Sequence, residues 1–305
     1  MATTIPVKQY PNDVSPLAAP DSAPAINNIT QADLKDSLRL GWEDFKAVPS
    51  HAIMLALIYP LLGLAAARVV LGYSVLPLLF PIAAGFALVG PFAAIGLYEL
   101  SRRREIGLPA NAWDATEVLR SPSFGAMLGL GAALMAVFVV WILSAQAIYT
   151  SSFGNAPASE IPGFINRVLT TPEGWRLILI GCGTGFLFAV AALCISVVSF
   201  PMMLDRHASV MDAVTTSLRA VARNPMSMAT WGVIVAALLM IGSIPLFLGL
   251  AVVIPLLGHS TWHLYRKMVE RNPNPPLIPP ASNAHHSAAD FPVSLFVGRK
   301  APKDN

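Results

Sequence analysis

Long apolar runs broken by short polar turns set the pattern of this chain. Runs from about Ala52 to Leu71, Val75 to Tyr98, Phe124 to Tyr149 and Leu177 to Phe200 each reach the length of about 20 residues that a helix needs to cross a bilayer. Met228 to Tyr265 holds two more, somewhat short, with a turn near Gly242-Ser243-Ile244-Pro245. Gly72-Tyr73-Ser74 admits only a tight turn, so the first two runs are antiparallel neighbours. The pattern predicts an all-α, polytopic membrane protein of six transmembrane helices in three hairpins.

Two stretches have a different period. Leu34, Leu38, Trp42 and Phe45 recur at helical spacing opposite Lys35, Asp36, Arg39, Glu43 and Lys46, and Thr30 with Asp33 has the spacing of a capping box. Val210, Val214, Leu218 and Val221 repeat the arrangement after Ser209 and Asp212. Both read as amphipathic helices on the membrane surface, over Thr30 to Val48 and Ser209 to Arg223. Residues 1–29, rich in proline, and 272–305, with NPNPPLIPP, read as disordered cytoplasmic tails around a membrane domain at 30–271. The N-terminal tail has no apolar run long enough for a signal peptide.

Charge orients the spans. Arg102, Arg103 and Arg104 follow the second run, and Arg266 and Lys267 follow the last. Only Arg167 and Arg176 fall outside and Arg68 within the membrane, which leaves 17 of the 20 basic residues inside. Short loops rich in Lys and Arg stay cytoplasmic, so both termini are expected on the cytoplasmic side of a bacterial inner membrane. The composition agrees: 55% of residues are hydrophobic and 12% charged, where a soluble domain has about 25% charged. The net charge of +3 does not point to nucleic acid, because the basic residues sit at span ends rather than on one face. Cys182 and Cys194 are twelve residues apart, about 18 Å along a helix, and cannot pair with each other.

Pro91 and Pro255 lie inside apolar runs and are expected to bend their helices. Leucine–arginine pairs precede three of the hairpins, Leu38-Arg39, Leu119-Arg120 and Leu218-Arg219. They suggest a threefold repeat, or simply the gathering of arginines at span ends.

Few residues suggest chemistry. His259 and His263 are one turn apart in GHSTWHLYR, the best metal or haem spacing in the chain, although the same positions suit histidines at a membrane interface. Arg68 either snorkels to the headgroups or has an intramembrane partner. Glu99 is spaced to pair with Arg102 or Arg103, or to relay protons if it faces a polar interior. There is no serine–histidine–acid set, phosphate loop or paired-carboxylate site.

The runs LVGPFAAIGLYELSRRREIG (Leu88 to Gly107), SFPMMLDRHASVMDAVTTSLRAVARNP (Ser199 to Pro225) and LGLAVVIPLLGHSTWHLYR (Leu248 to Arg266) resemble a bacterial integral membrane family of unknown function, over about Gly41 to Val269. Some members are labelled putative cytochrome c oxidase subunit I, and that label implies haem and copper held by histidine. The residues themselves lead to no expected cofactor and to a non-catalytic scaffold or accessory subunit, of a respiratory complex in the sense of the label. The alternatives are a small transporter or channel, and a haem- or copper-binding oxidase-related protein through His259 and His263. The partners expected are the lipid bilayer and a membrane protein or a second copy of the chain, with no nucleic acid.

Overall fold

The computed structural model describes residues 24–48, 78, 81–82, 90–91, 94–154, 161–245 and 248–271. The first expected span with Arg68, most of the second, and nearly all of both tails lie outside the described residues, as do the neighbours that would define a bend at Pro91. The described elements are helices α1 (Gln31–Ala47), α2 (Ile95–Glu105), a 3-10 helix (Ala112–Arg120), α3 (Phe124–Phe153), α4 (Ile161–Thr170), α5 (Pro172–Ser196), α6 (Ser199–Arg206), α7 (Val210–Arg223), α8 (Pro225–Ser243) and α9 (Leu250–Met268). Beyond them the described residues form one isolated β-bridge, between Ile26 and Val269.

Three stretches are long and apolar enough to cross a membrane: α3, α5 together with α6, and α8. They correspond to the third, fourth and fifth expected spans. The sixth expectation, α9, is not among them. Its first turns are apolar, but from His259 to Lys267 the helix is polar and buried against α1 and α2. It continues through Pro255 as one helix.

α3 and α5 form a hairpin with α4 across its tip. Trp141 of α3 packs on Phe188 of α5 with ring centroids 5.6 Å apart, and a side chain added at Gly185 would meet the Trp141 ring at 2.8 Å. At the tip, Arg167 of α4 stacks on Phe153 at 4.7 Å. The described residues between Thr150 and Arg176, which join the third and fourth apolar runs, are thus largely helical. Thr171 caps α5 by accepting from the Gly174 backbone N–H, and Pro172 occupies its first turn, where no backbone donor is lost. Leu179, Phe186 and Leu187 face outward on α5, as lipid-facing residues do.

Pro201, just past the fourth apolar run, lies in the first turn of α6, where a proline costs no hydrogen bond. The helix stops six residues later at His207, whose φ of 54° is left-handed.

Both capped helices exist, and each packs through a face of mostly small and polar residues beside its apolar stripe. α1 buries Leu34, Ser37, Gly41 and Asp44, while Trp42 stays 42% exposed and stacks on Phe45. α7 buries Ala213, Thr216, Ser217 and Ala220 and leaves Leu218 exposed. In a membrane protein burial of large side chains gives no advantage over lipid, so helices pack through small residues that let backbones approach. The large apolar residues are then free to face outward.

Residues 25–29, grouped by composition with the N-terminal tail, are anchored to the far end of the chain. Asn27 N–H donates to the Met268 carbonyl at 2.8 Å, and Glu270 N–H to the Ala25 carbonyl at 3.0 Å. Asn224, between α7 and α8, accepts from Ile29 N–H at 2.8 Å and donates to the Asn27 carbonyl at 3.0 Å.

Candidate functional site

Three helix ends meet at the polar pole of the molecule. α1 runs against α9 in opposite directions, Asp36 beside Lys267 and Gly41 beside Ser260, while α2 runs with α9, Leu97 beside Gly258 and Glu105 beside Arg266. Glycines make the approach possible. A side chain added at Gly258 would meet Leu97 at 2.5 Å.

Asp44 is the hub of this junction. Its Oδ1 accepts from Arg104 Nε at 2.7 Å, and its Oδ2 accepts from Ser101 Oγ at 2.6 Å and meets His263 Nε2 at 2.8 Å. Ser101 Oγ also meets His259 Nδ1 at 2.8 Å. One carboxylate therefore ties α1 to α2 and α9. Asp44, Ser101 and His259 are all buried. Burial pushes the Asp44 carboxyl up, but the hydrogen bonds from His263, Ser101 and Arg104 outweigh it and hold its pKa below the ordinary carboxylate value.

The ionised carboxylate fixes the proton positions around it. An ionised Asp44 can only accept, so the single Ser101 proton goes to Asp44 and Ser101 can only accept from His259. Nδ1 of His259 and Nε2 of His263 both then carry protons. The order is His259, Ser101, Asp44, His263, with serine in the middle. A hydrolytic triad needs histidine between serine and carboxylate, with an accessible serine; Ser101 is fully buried and is no nucleophile.

A second set of pairs surrounds the first. Glu99, buried at 3% exposure, accepts from both Arg102 (2.7 Å) and Arg103 (3.0 Å). Arg103 also pairs with Asp114 at 3.0 Å and with Glu117, so it fastens the 3-10 helix to α2. Arg266 bridges Glu105 (2.9 Å) and Asp205 of α6 (2.8 Å), stacks on Trp262 at 4.9 Å, and shares Asp205 with the Tyr265 hydroxyl. Lys267 pairs with Asp36 at 2.7 Å. The arginines read from the sequence as topology determinants are thus also the mortar between helices.

His259 and His263 converge on one Ser101–Asp44 pair rather than on a shared open position, and no group of three or more His, Cys, Asp or Glu poised for a metal occurs among the described residues. Sequence reasoning missed Asp44, Ser101, Glu105 and Asp205. The available signal was the run of small and polar residues Ser37, Gly41 and Asp44 along one edge of α1, beside Leu34.

These carboxylates make the pole sensitive to acid. Asp33 is held below its ordinary value by the Thr30 cap and Asp36 by Lys267, as Asp44 is by its three donors. A depressed folded-state pKa contributes stability above the unfolded value, about 3.9, and that stability is lost as pH falls through the folded value. The thermal midpoint of the detergent-solubilised protein should therefore drop as pH goes below about 4, and Asp44→Asn should flatten part of that slope. Equal slopes in the two proteins would mean that Asp44 is not held as described.

Residues 78–205 match the family model described as a predicted integral membrane protein, DUF2189. That model is of an integral membrane family of unknown function, and the match spans less than half of the chain. The match to DUF2189 takes in all of the Leu88 to Gly107 run and the opening of Ser199 to Pro225, and so covers α2 through all but the last residue of α6, including Ser101 and Arg102 to Arg104. Asp44, His259 and His263 lie outside the DUF2189 match. No curated protein and no solved structure matches the chain.

Proposed function

We propose that this chain is a non-catalytic scaffold or accessory subunit in a bacterial inner membrane, with six spans and both termini cytoplasmic, serving a larger membrane assembly such as a respiratory complex. The observation that carries this reading is where the charge goes. Glu99, Arg103, Arg104, Asp44, Glu105, Arg266 and Asp205 join five elements to one another at a single pole. Such mutual pairing favours rigidity of the helix ends over the binding of a moving substrate. A scaffold needs that rigidity, with lipid-facing and partner-facing apolar surface elsewhere.

A second reading, a small transporter or channel, is favoured by the chain His259–Ser101–Asp44–His263, since linked ionisable groups at a membrane boundary are the means by which transporters move protons. Reconstitution separates the two. The purified chain in liposomes with a pH-sensitive dye should pass no more protons or ions than empty vesicles, and in mild detergent extracts it should migrate with a stoichiometric second polypeptide. Flux that depends on the chain alone and falls in Asp44→Asn would replace the scaffold with the transporter.

A further inference from the structure

An open cleft of about 450 Å³ lies where α1, α2 and α9 meet. Arg104, Arg266, Lys267 and Arg271 line it together with His263, facing the carboxylates of Glu43, Asp44 and Glu105. The acceptors are already used. Oδ1 of Asp44 is taken by Arg104 and Oδ2 by Ser101 and His263. Of Glu105, Oε1 is taken by Arg271, and Oε2 by Arg266 and the Trp262 indole N–H. Glu43 is turned to Arg39.

The donors are not used up. A guanidinium carries five N–H donors. Arg104 commits only its Nε and Arg271 only one terminal nitrogen to protein acceptors among the described residues. Among the lining side chains four cations face three carboxylates, and the forked donors of Arg104 and Arg271 keep open valence there. Several anionic oxygens on one centre satisfy such forks best, and arginine meets phosphate in a bidentate manner.

Position narrows the source. Along α9 the apolar turn Leu250 to Leu257 gives way to His259, His263, Arg266 and Lys267, the change from hydrocarbon to headgroup depth. Basic pockets between helices at that depth hold acidic lipid headgroups. We propose that this cleft binds the phosphate group of an anionic phospholipid, anchoring α1, α2 and α9 to the leaflet at this pole. The proposal needs only that the chain is embedded in a membrane, not that it is a scaffold.

The test is native mass spectrometry of the full-length chain in neutral detergent, titrated separately with phosphatidylglycerol, phosphatidylcholine and inorganic phosphate. Phosphatidylglycerol should bind about tenfold more tightly than phosphatidylcholine, and inorganic phosphate more weakly still. Arg271→Gln and Lys267→Gln should each weaken the phosphatidylglycerol adduct by roughly threefold, and Arg104→Gln with Arg271→Gln by tenfold or more. Arg219→Gln, at an exposed position of α7 outside the cleft, should leave it unchanged. Should loss of Arg104 unfold the protein, as a melting curve would show, the Arg271→Gln and Lys267→Gln proteins still decide the matter. Equal binding of the two lipids, or adducts unchanged in Arg271→Gln and Lys267→Gln, would overturn the site. Inorganic phosphate binding as tightly as phosphatidylglycerol would overturn the lipid as its source.

Discussion

Asp44→Ala should cost about 3–5 kcal/mol of stability and lower the thermal midpoint by roughly 10 °C, a larger loss than any surface substitution produces. The reason is the number of groups left behind. Asp44 is the acceptor for Arg104, Ser101 and His263 at once, and its side chain is 7% exposed, so water cannot readily replace it. Truncation leaves a guanidinium without its carboxylate and a buried hydroxyl without its acceptor. Asp44→Asn should lose less, because the amide keeps an acceptor oxygen for Ser101 while surrendering the charge that holds Arg104. A midpoint within a degree or two of the parent in Asp44→Ala, followed by fluorescence of the detergent-solubilised protein, would show that α1 is held by something other than this hub.

Gly41→Leu should separate α1 from α9. A Cβ at position 41 would lie 2.1 Å from Ser260 Oγ and 2.7 Å from the Ser260 backbone nitrogen. The hydroxyl can rotate away; the backbone cannot. The helices must therefore move apart, at a cost of about 1–3 kcal/mol for overpacking, to which the stretched bonds at Asp44, one turn further along α1, add their own loss. Gly129→Leu on α3, where an added Cβ meets nothing within 4 Å, provides the comparison and should leave the midpoint close to the parent's. Limited proteolysis after Ala47 offers a second readout: the Gly41→Leu protein should be cut there and the parent should not. Parallel behaviour of the two glycine variants would mean that the α1–α9 contact is not close.

The two predictions fall on residues that patterning does not single out, and the reason is physical. Apolar runs are visible because hydrocarbon demands length and composition together, and the runs at α3, α5 and α8 gave themselves away by both. Helix caps are visible because they depend on two residues three apart, as at Thr30 and Ser209. The Glu99 pairs with Arg102 and Arg103 follow from one turn of spacing in the same way. The faces of α1 and α7 are another matter. The apolar stripes are legible as lipid-facing, and Trp42 and Leu218 are indeed exposed, but nothing in the pattern marks Gly41 and Ala213 as the residues through which helices pack beside lipid, where burial of large side chains does not drive packing. The Asp44 hub escaped notice for a further reason. Its partners lie 57 to 219 positions from Asp44 in sequence, and nothing local marks Ser101 as the link between His259 and a carboxylate. In α9 the histidine spacing drew attention correctly to the helix face, yet the chemistry there comes from the partners on α1 and α2.

A bilayer crossed by α3 and α5 puts the polar pole and the α4 tip on opposite sides. Single cysteines at Glu43 of α1, Arg219 of α7 and Arg167 of α4, all exposed positions, test this in a background with Cys182→Ala and Cys194→Ala. A membrane-impermeant maleimide should label Arg167→Cys in intact cells, and Glu43→Cys and Arg219→Cys only in inverted vesicles. Labelling of Arg167→Cys and Arg219→Cys from the same side would contradict the account, because the α3–α5 hairpin would then not cross the membrane.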